Sequence, residues 1–554
     1  QIPLQHLSAA LHWSIAPLRP GQSHRPIEVK VSEARFANAD AQGELTATWS
    51  TGSQDVGAHA SGARYPGVLE LSGKLVQGQA TAVHRYLPLG IPHETRDYVR
   101  HAVLAGVAND VRFKVRGDLW DFPFAVVPKM GQQGQFHIAL QAKDVVLAYV
   151  PSYAATASAP AFASPWPPME AVSGELVFDR NTMHIRKASA KVLGYELTGV
   201  KGGIADLAQR SVLVLEGAGT GGVQPLLDFL RRSPVGGWTG NALALASGTG
   251  HADLKLAVQL PLSDLDKTTV KGQLQLKGND LRIRPDLPML EQTRAKVSFT
   301  QNDLHIGAAQ AHVLGGDLSF EGGSPLHLAP NATAADKALR FTGQGTASAE
   351  GLRGAGEWPL LARLAQNLDG STAYRLLLGI HSGGAEFDFT SQLQGLASRL
   401  PAPLTKTAEA PLSLRVQTRL LVPAQGDAQQ DQLSIHLGSV AEVRYLRDIT
   451  AANAHVLRGS IGVGERAPDL PKDGVQAHIN LPFVSLDQWQ AQAQKLTGNS
   501  AGPQESADAA ASYLPNNLAL RTGTVDFGGH RLTQVVAALS RLDTGPQAGT
   551  WRSS

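Results

Sequence analysis

The chain contains one stretch twice, and this repeat decides the fold. Residues 172–202 read VSGELVFDRNTMHIRKASAKVLGYELTGVKG, and residues 293–323 read TRAKVSFTQNDLHIGAAQAHVLGGDLSFEGG. Aligned without a gap at an offset of 121 residues, 11 of the 31 positions are identical. A repeat of this length indicates a modular architecture in which each unit packs against its neighbours.

Each copy predicts three short strands joined by tight turns. In the first copy, Leu176 and Phe178 alternate with polar or smaller residues, and DRNT at 179–182 then forms a turn. A second strand includes Ile185, and Gly194 ends it. Alternation with a period of two, bounded by Gly, Asn and Asp, is typical of strands and turns. The unit is therefore predicted to be an antiparallel meander with one apolar and one polar face.

Equivalent positions of the two copies predict which side chains share a face. Phe178 and Phe299 fall on the apolar parity, so we expect both on the same face of one sheet system. His184 and His305 fall on the opposite parity and are expected to face water. A weaker third copy begins near Val525.

The composition favours a large β-rich protein and excludes several kinds of site. Charged residues make up 17% of the 554 residues, against about 25% in a typical soluble domain. Glycine and proline contribute 57 and 32 residues, as many short strands with many turns would require. The chain has no cysteine, which excludes thiol catalysis, cysteine-ligated zinc and disulfides. A net charge of +2 with scattered basic residues gives no indication of nucleic-acid binding.

The first residue is Gln1 rather than Met, and we interpret the chain as a middle-to-late piece of a longer protein. It has no run of about 18 apolar residues, so no membrane-spanning helix is expected within it. No signal-peptide pattern occurs either. Any membrane anchor is expected outside this sequence.

Local patterns predict a mainly β fold, an elongated and twisted antiparallel sheet with a few short helices. One helix is predicted at 92–107, because Pro92 and Glu94 suit a helix start and Gly106 suits a helix end. The predicted segments are residues 1–150 with this inserted helix, an exposed Pro/Ala/Ser-rich loop at 151–168, residues 169–345 with both repeat copies, and residues 346–554 with short helices and a mobile stretch at 498–511.

Two motifs resemble functional sites, but neither has the context that such a site needs. Residues 217–222 read GAGTGG, which fits the glycine pattern of dinucleotide-binding turns. No acidic residue follows within 236–247, so a flexible turn between a strand and a helix is the favoured interpretation. Asp118 and Asp121 could form the carboxylate pair of a glycoside hydrolase, but acids in a turn explain them more simply. The 18 histidines are scattered without metal-ligand spacing. We expect no catalytic residue, no metal and no cofactor.

The remaining signal is the alternation itself, which places Leu, Val, Ile and Phe on one parity of many strands. The core of an ordinary β-sandwich would have this pattern. A long sheet curled on itself would have it too, with an apolar face left open for an apolar ligand. Periodicity alone does not separate the two, and a core filled by protein is the default.

Several stretches carry a family resemblance. They are GVLELSGKLVQGQATAVHRYLPLGIPHETRDYVRHAVLAGVANDVRFKVRGDLWDFPF (67–124), LLDFLRRSPVGG (226–237), LQGLASRLPAPLTKTAEAPLSLRV (393–416) and the repeat unit. In these stretches the chain resembles the YhdP family of AsmA-like bacterial envelope proteins. The part of 67–124 from RYLP to DFPF is the most specific, and together the matches run through most of the chain.

The resemblance implies a β-groove that carries phospholipids between inner and outer membranes without covalent chemistry, and therefore a protein that is not an enzyme. It also implies a body in the periplasm and an inner-membrane helix that precedes this sequence. The implied partners are phospholipids, the two membranes and envelope proteins. The alternative is a structural or assembly scaffold of the envelope with a closed β core and no lipid cargo.

If the groove is open, the apolar parity of each strand should line it. A slip of one residue in any strand would invert the assignment for that strand. The predicted lining residues are Val111, Phe113, Val115, Phe136, Ile138, Phe178, Leu254, Leu256, Phe299, Ile306, Leu412, Leu414 and Ile435.

Overall fold

The protein is mainly β, with a large open sheet and a few short helices among the residues that the structure describes. This confirms the fold class expected from the alternating pattern. The computed structural model describes residues 3–18, 24–51, 65–88, 91–122, 124, 134–157, 159–207, 210–238, 240–325, 338–381, 384–421, 429–450, 454–497, 511–541 and 551–553.

The first part of the chain folds into long strands with two helices between them. Their bounds are β1 (His6–Ile15), β2 (Ile27–Ala37), β3 (Ala41–Ser50), β4 (Val68–Gln79), α1 (His93–Ala102), β5 (Val103–Asp118), β6 (Gln135–Leu147), β7 (Met169–Asp179), β8 (Thr182–Val192), β9 (Tyr195–Asp206), β10 (Arg210–Gly222) and α2 (Val223–Arg231).

The rest of the chain continues in the same way, and its helices lie in the connections between strands. The bounds are α3 (Val235–Trp238), β11 (Ser247–Gly248), β12 (His251–Pro261), β13 (Thr269–Arg282), β14 (Leu290–Thr300), β15 (Asp303–Val313), β16 (Gly316–Pro325), β17 (Leu339–Ser348), α4 (Ala349–Arg353), α5 (Pro359–Leu364), β18 (Leu368–His381), β19 (Gly384–Ser391), β20 (Leu396–Ser398), β21 (Leu414–Leu421), β22 (Gln430–Leu437), β23 (Ala441–Asp448), β24 (His455–Val463), β25 (Gly474–Ser485), α6 (Leu486–Thr497), β26 (Asn517–Phe527), β27 (His530–Arg541) and β28 (Trp551–Ser553).

Strands that follow one another in the chain mostly pair in antiparallel ladders, from β1–β2 to β27–β28. Two parallel pairs, β24–β25 and β25–β26, are exceptions to this pattern. Parallel neighbours need a crossover connection, because the chain must return to the end where it started. Residues 464–473 make the first crossover, and the connection that contains α6 makes the second.

Both copies of the repeat fold as three consecutive strands, β7–β9 and β14–β16. In each copy the last two strands are joined by a two-residue turn, Leu193-Gly194 or Leu314-Gly315, in which both residues have positive φ. Such turns follow the twist of the strands and favour glycine. Lys187 and Ala308 occupy equivalent bulges, where the register of the ladder shifts. The shared sequence thus encodes a shared backbone, including its turns and bulges.

The chain divides into two compact units. The bounds of these units differ from those of the segments expected from the sequence, and the division into those segments stays a prediction. Most of the stretch predicted to be mobile, 498–510, lies outside the described residues. Unit 1 comprises Gln1–Pro234, Ala252–Leu274 and Phe299–Gln301, and unit 2 comprises Val235–His251, Gln275–Ser298 and Asn302–Ser554.

The helix predicted at 92–107 is shorter in the structure. It ends at Ala102, and the chain continues directly into β5 at Val103. Gly106, which suggested a helix end, lies inside β5 with a φ of 109°. A Cβ there would collide with Val145 of the neighbouring strand, so this glycine serves a close approach in the sheet.

The Pro/Ala/Ser-rich loop at 151–168 is held by aromatic contacts and is not uniformly exposed. The Tyr153 ring lies 5.0 Å from the His101 ring of α1, measured between centroids. The Trp166 ring lies 6.2 Å from the Phe229 ring of α2. These contacts fix the loop against both helices.

Buried side chains in unit 2 form small clusters spread along the sheet. Each cluster joins residues of neighbouring strands, and only Ala242, between α3 and β11, is a cluster member outside a strand. The clusters consist of Ala311, Val313, Leu318, Ala347 and Tyr374; of Ala242, Leu339 and Ile380; of Leu433, Tyr445, Val456 and Val475; and of Val484, Leu520 and Val525.

Candidate functional site

The apolar side chains of unit 1 form a continuous row across the sheet. Residues directly opposite each other in a ladder point to the same face. Following the ladders from β3 to β10 therefore traces one line of side chains, which we call the unit 1 row. Its members are Leu45, Gly73, Phe113, Ile138, Phe178, Met183, Ile204 and Leu213.

Six of the predicted lining residues lie on this face of β5, β6 and β7. Phe113, Ile138 and Phe178 belong to the unit 1 row and are half-buried. Val111 and Val115 stand two positions to either side of Phe113 and are buried. Phe136 is half-buried and is the ladder partner of Val115.

The other face of β5 is polar. Arg112, Lys114 and Arg116 alternate with the apolar residues of β5 and are exposed. His184 and His305, which were expected to face water, are exposed as well. One strand thus separates positive charge from apolar surface along its length.

Glycines make room for aromatic rings on the apolar face. The Phe113 ring occupies the space where a side chain on Gly73, its ladder partner, would stand. The Phe299 ring of β14 likewise fills the space beside Gly272 of β13. Pairing a strand glycine with an aromatic side chain covers the glycine and holds the ring against the backbone. Phe299 is half-buried, and its placement on the same face as Phe178 stays a prediction.

Unit 2 has a longer apolar row of the same kind. Following the ladders from β15 to β27 gives a line of ladder partners without a single polar side chain, which we call the unit 2 row. The row passes through both parallel strand pairs without interruption. Its members are Ala309, Phe320, Gly343, Leu376, Phe389, Val416, Ile435, Val443, Ile461, Ala477, Leu518 and Leu539.

Some residues beside the middle of the unit 2 row are more buried than the row itself. Phe389 and Ile435 of the row are half-buried. Tyr374, Leu433 and Tyr445 lie two residues along their strands from row members, on the same face, and are buried. The protein therefore covers these three residues more completely than the two of the row.

The opposite face of unit 2 carries a matching polar row. Arg415 binds Asp388 there, with 2.6 Å between Nη2 and Oδ2. The hydrogen bonds from Arg415 lower the pKa of the Asp388 carboxyl. The polar row consists of Asp388, Gln417, Ser434, Arg444, Ser460, Gln476 and Asn517.

The remaining predicted lining residues are all half-buried. Ile306 lies on the same face as the unit 2 row, opposite Gly322. Leu414 lies two residues from Val416 of that row, on the same face, and pairs with Leu437. Leu412 precedes β21, and Leu254 and Leu256 lie in β12.

A buried ion pair on the apolar side of unit 2 was not predicted. Asp431 is 2% exposed, and its Oδ1 lies 2.8 Å from Nε of Arg447, its ladder partner. The Tyr513 hydroxyl accepts a further hydrogen bond from Arg447 at 3.2 Å. Burial alone would lower the pKa of Arg447, but its hydrogen bonds with Asp431 and Tyr513 raise it. The sequence did contain one signal for this pair, because Asp431 precedes Leu433 by two residues and therefore falls among the apolar positions of its strand.

Helix α6 covers the apolar side near the end of the unit 2 row. Leu486 and Trp489 pack against Leu520 and Val525 of β26. The Trp489 indole nitrogen donates a hydrogen bond to the Ala402 carbonyl at 3.0 Å, and α6 also lies against α5. This helix is therefore held at the sheet and at the loop that precedes β21.

The glycine-rich stretch at 217–222 lies inside β10, so the expectation of a flexible turn is wrong. Side chains at Gly219 and Gly221 would collide with the Tyr195 ring of β9. Tyr195 is buried, and its hydroxyl donates to the Ala252 carbonyl at 2.9 Å. The glycines therefore serve the packing of one tyrosine.

The paired acids belong to a short 3-10 turn, Leu119–Asp121. The Asp118 side chain accepts a hydrogen bond from the backbone nitrogen of Trp120 at 2.9 Å, as a capping residue does. Within the part of the chain that the structure describes, no three His, Asp or Glu side chains could hold a metal ion together. Within the same part, no helix is long and apolar enough to cross a membrane.

Comparison with known proteins identifies the family of the chain. A family model described as "YhdP protein" matches residues 2–552. The chain is similar to the "Intermembrane phospholipid transporter YhdP" of Escherichia coli (strain K12), with 24% identity over 464 residues. That alignment covers 80% of this chain and 32% of the relative, so the chain spans about a third of that protein's length. No solved structure matches the chain. Because the family match extends over nearly all of its residues, the chain belongs to the YhdP protein family.

Proposed function

We propose that the chain carries phospholipids along its two apolar rows, with the acyl chains against the apolar face and the headgroups in water. The observation that carries this proposal is the half-buried state of row residues such as Phe113, Phe178 and Ile435. Exposed apolar surface costs about 25 cal/mol per Å². An extended apolar line that the protein leaves partly uncovered therefore favours an apolar ligand.

The composition of the unit 2 row suits movement as well as binding. From Ala309 to Leu539 none of its members has a polar side chain, so an acyl chain lying along the row would form no hydrogen bond with the row itself. Hydrophobic contact is non-directional and contributes about 0.8 kcal/mol per buried methylene. A lipid could shift along such a row by exchanging one set of apolar contacts for an equivalent set.

The relative's name supports the choice of a phospholipid as the cargo. Because the chain covers about a third of that relative, the whole route is part of the proposal. We place the chain in the periplasm, within a longer protein that connects the inner and outer membranes. The membrane anchor would then lie in another part of that protein, and protein partners would bind to other parts of it. The proposed transfer needs no covalent step, and we assign no catalytic residue.

A structural scaffold with a closed β core is the competing function. Such a scaffold would bury the centre of its apolar face most completely. In unit 2, Phe389 and Ile435 in the middle of the row are only half-buried, which favours the open arrangement.

The test compares lipid capture at two neighbouring residues of β5. A photo-crosslinking amino acid at Phe113 should capture phospholipid, whereas the same residue at Arg112, on the exposed polar face, should capture little. Equal capture at both positions would contradict the assignment of the face. Native mass spectrometry of the purified chain adds a second measurement, because a closed scaffold would carry no phospholipid.

A further inference from the structure

We propose that Gln492 of α6 donates a hydrogen bond to an ester carbonyl of the carried phospholipid. This inference rests on the proposed function and adds one polar contact to an otherwise apolar path. It assigns α6 a direct role in binding the glycerol backbone of the lipid.

The position of Gln492 places it on the covered side of the helix. Its side chain is only 6% exposed. It follows Trp489 by three residues, and residues at that spacing are neighbours on the helix surface. Trp489 and Leu486 both pack on the apolar cluster that includes Leu520.

The side-chain nitrogen of Gln492 is buried without a hydrogen-bond partner among the described residues. Leaving such a donor unsatisfied is costly, and in most proteins a buried polar group has a partner. Gln488 and Gln490 of the same helix are exposed and can be hydrated. Gln492 therefore differs from these two glutamines in needing an acceptor.

An ester carbonyl matches this need better than water or a phosphate group. A buried water usually needs two to four polar partners, but Leu486, Trp489 and Leu520 around the helix offer apolar contacts. A phosphate carries a charge that is costly to bury. The ester carbonyl is a neutral acceptor at the head of the acyl chains, so it would reach Gln492 while the tails contact the apolar face.

The experiment compares a diester phosphatidylglycerol with its diether analogue, which keeps the phosphate but has no ester carbonyl. Vesicles with equal amounts of both lipids are mixed with the purified chain, which carries a photo-crosslinking residue at Leu486. The captured diester should exceed the captured diether by about five- to tenfold, as one hydrogen bond of ordinary strength predicts. Capture at Phe113 in unit 1 should show no preference.

A substitution then assigns the preference to one residue. Gln492→Met keeps the length of the side chain and removes the donor, so the diester preference at Leu486 should fall to about equal capture. Gln490→Met is the matched control, since Gln490 is exposed, and it should keep the preference. The lipid-free Gln492→Met protein should melt at the same or a higher temperature, because the substitution removes a buried donor that has no partner.

The outcomes separate this inference from the proposed function. Capture at Phe113 together with equal diester and diether capture at Leu486 would overturn the role of Gln492 alone, and this comparison needs no substitution at Gln492. A preference that survives Gln492→Met would overturn it too. Absence of lipid at both Phe113 and Leu486 would overturn the proposed function and the inference with it.

Discussion

Single residues decide where the apolar face of unit 2 is interrupted, and the Asp431–Arg447 pair is the clearest case. Replacing Arg447 by Met would leave a buried carboxylate without its partner. A loss of this kind typically costs about 3–5 kcal/mol. We expect the loss in the free energy of local opening of β22 and β23, measured by hydrogen exchange, since a chain of two units need not unfold in one step.

The double variant Asp431→Leu/Arg447→Met is the control for this pair. Replacing both charges with apolar side chains removes the unpaired carboxylate, so most of the lost stability should return. Tyr513, which is half-buried, would lose its hydrogen bond with Arg447. A double variant as unstable as the single one would show that the pair matters through packing and not through charge.

Residue parity could be predicted where a strand carries opposite characters on its two faces. The faces of Val111 to Arg116 could be predicted, because valine and phenylalanine alternate with cations. The burial of Asp431 could not be predicted in this way, because it depends on Arg447 in the next strand and on Tyr513 far along the chain. Gln492 is one of several similar glutamines in QWQAQAQ, and only the docking of α6 distinguishes it.

At the scale of elements, the repeat offers a matched pair of turns with different surroundings. Gly194 has a φ of 86° and open space around it, whereas a Cβ on Gly315 would meet Ser348 and Gly351 at the start of α4. Replacing either glycine by alanine strains the backbone by roughly 1 kcal/mol. Gly315→Ala should cost more, because Ser348 also caps α4 through the Gly351 nitrogen at 3.0 Å.

Hydrogen exchange of the two hairpins measures this difference. Gly194→Ala should raise exchange in β8 and β9 slightly, by the cost of backbone strain alone. Gly315→Ala should raise exchange in β15 and β16 more, and in α4 as well, because the turn and the helix cap share atoms. Equal effects in the two hairpins would mean that the contact with α4 does not stabilise the turn.

Strand-rich architecture could be predicted from the sequence, but element ends and pairing direction could not. Alternation and turn residues identified the three strands of each repeat copy, because both signals are local. Gly106 was misleading, since a glycine can end a helix or permit a close approach between strands. The parallel placement of β25 depends on two crossovers, and no local pattern specifies which edge a returning strand joins.

At the scale of the whole molecule, the proposed function uses both apolar rows. Phe113→Asp in unit 1 and Ile435→Asp in unit 2 each place a carboxylate on a row, while Arg112→Asp and Ser434→Asp place it on the polar face. An added barrier of about 2.7 kcal/mol would slow transfer roughly a hundredfold. Such a barrier is reasonable for apolar chains that must pass a charge in a half-buried position.

Combining the two row substitutions distinguishes a single path from independent binding sites. Lipids that move through both rows in succession meet two barriers of similar height, so the double variant should be only about twofold slower than either single variant, because waiting times in series add. Independent sites would each lose their own share of transfer, and the single variants would keep much of the activity. Transfer of fluorescent phospholipid between donor and acceptor vesicles measures the rates. The two polar-face variants are controls for folding, and Ser434→Asp also matches the change in net charge of Ile435→Asp. Single variants that retain half of the transfer, with a double variant that abolishes it, would contradict a continuous path.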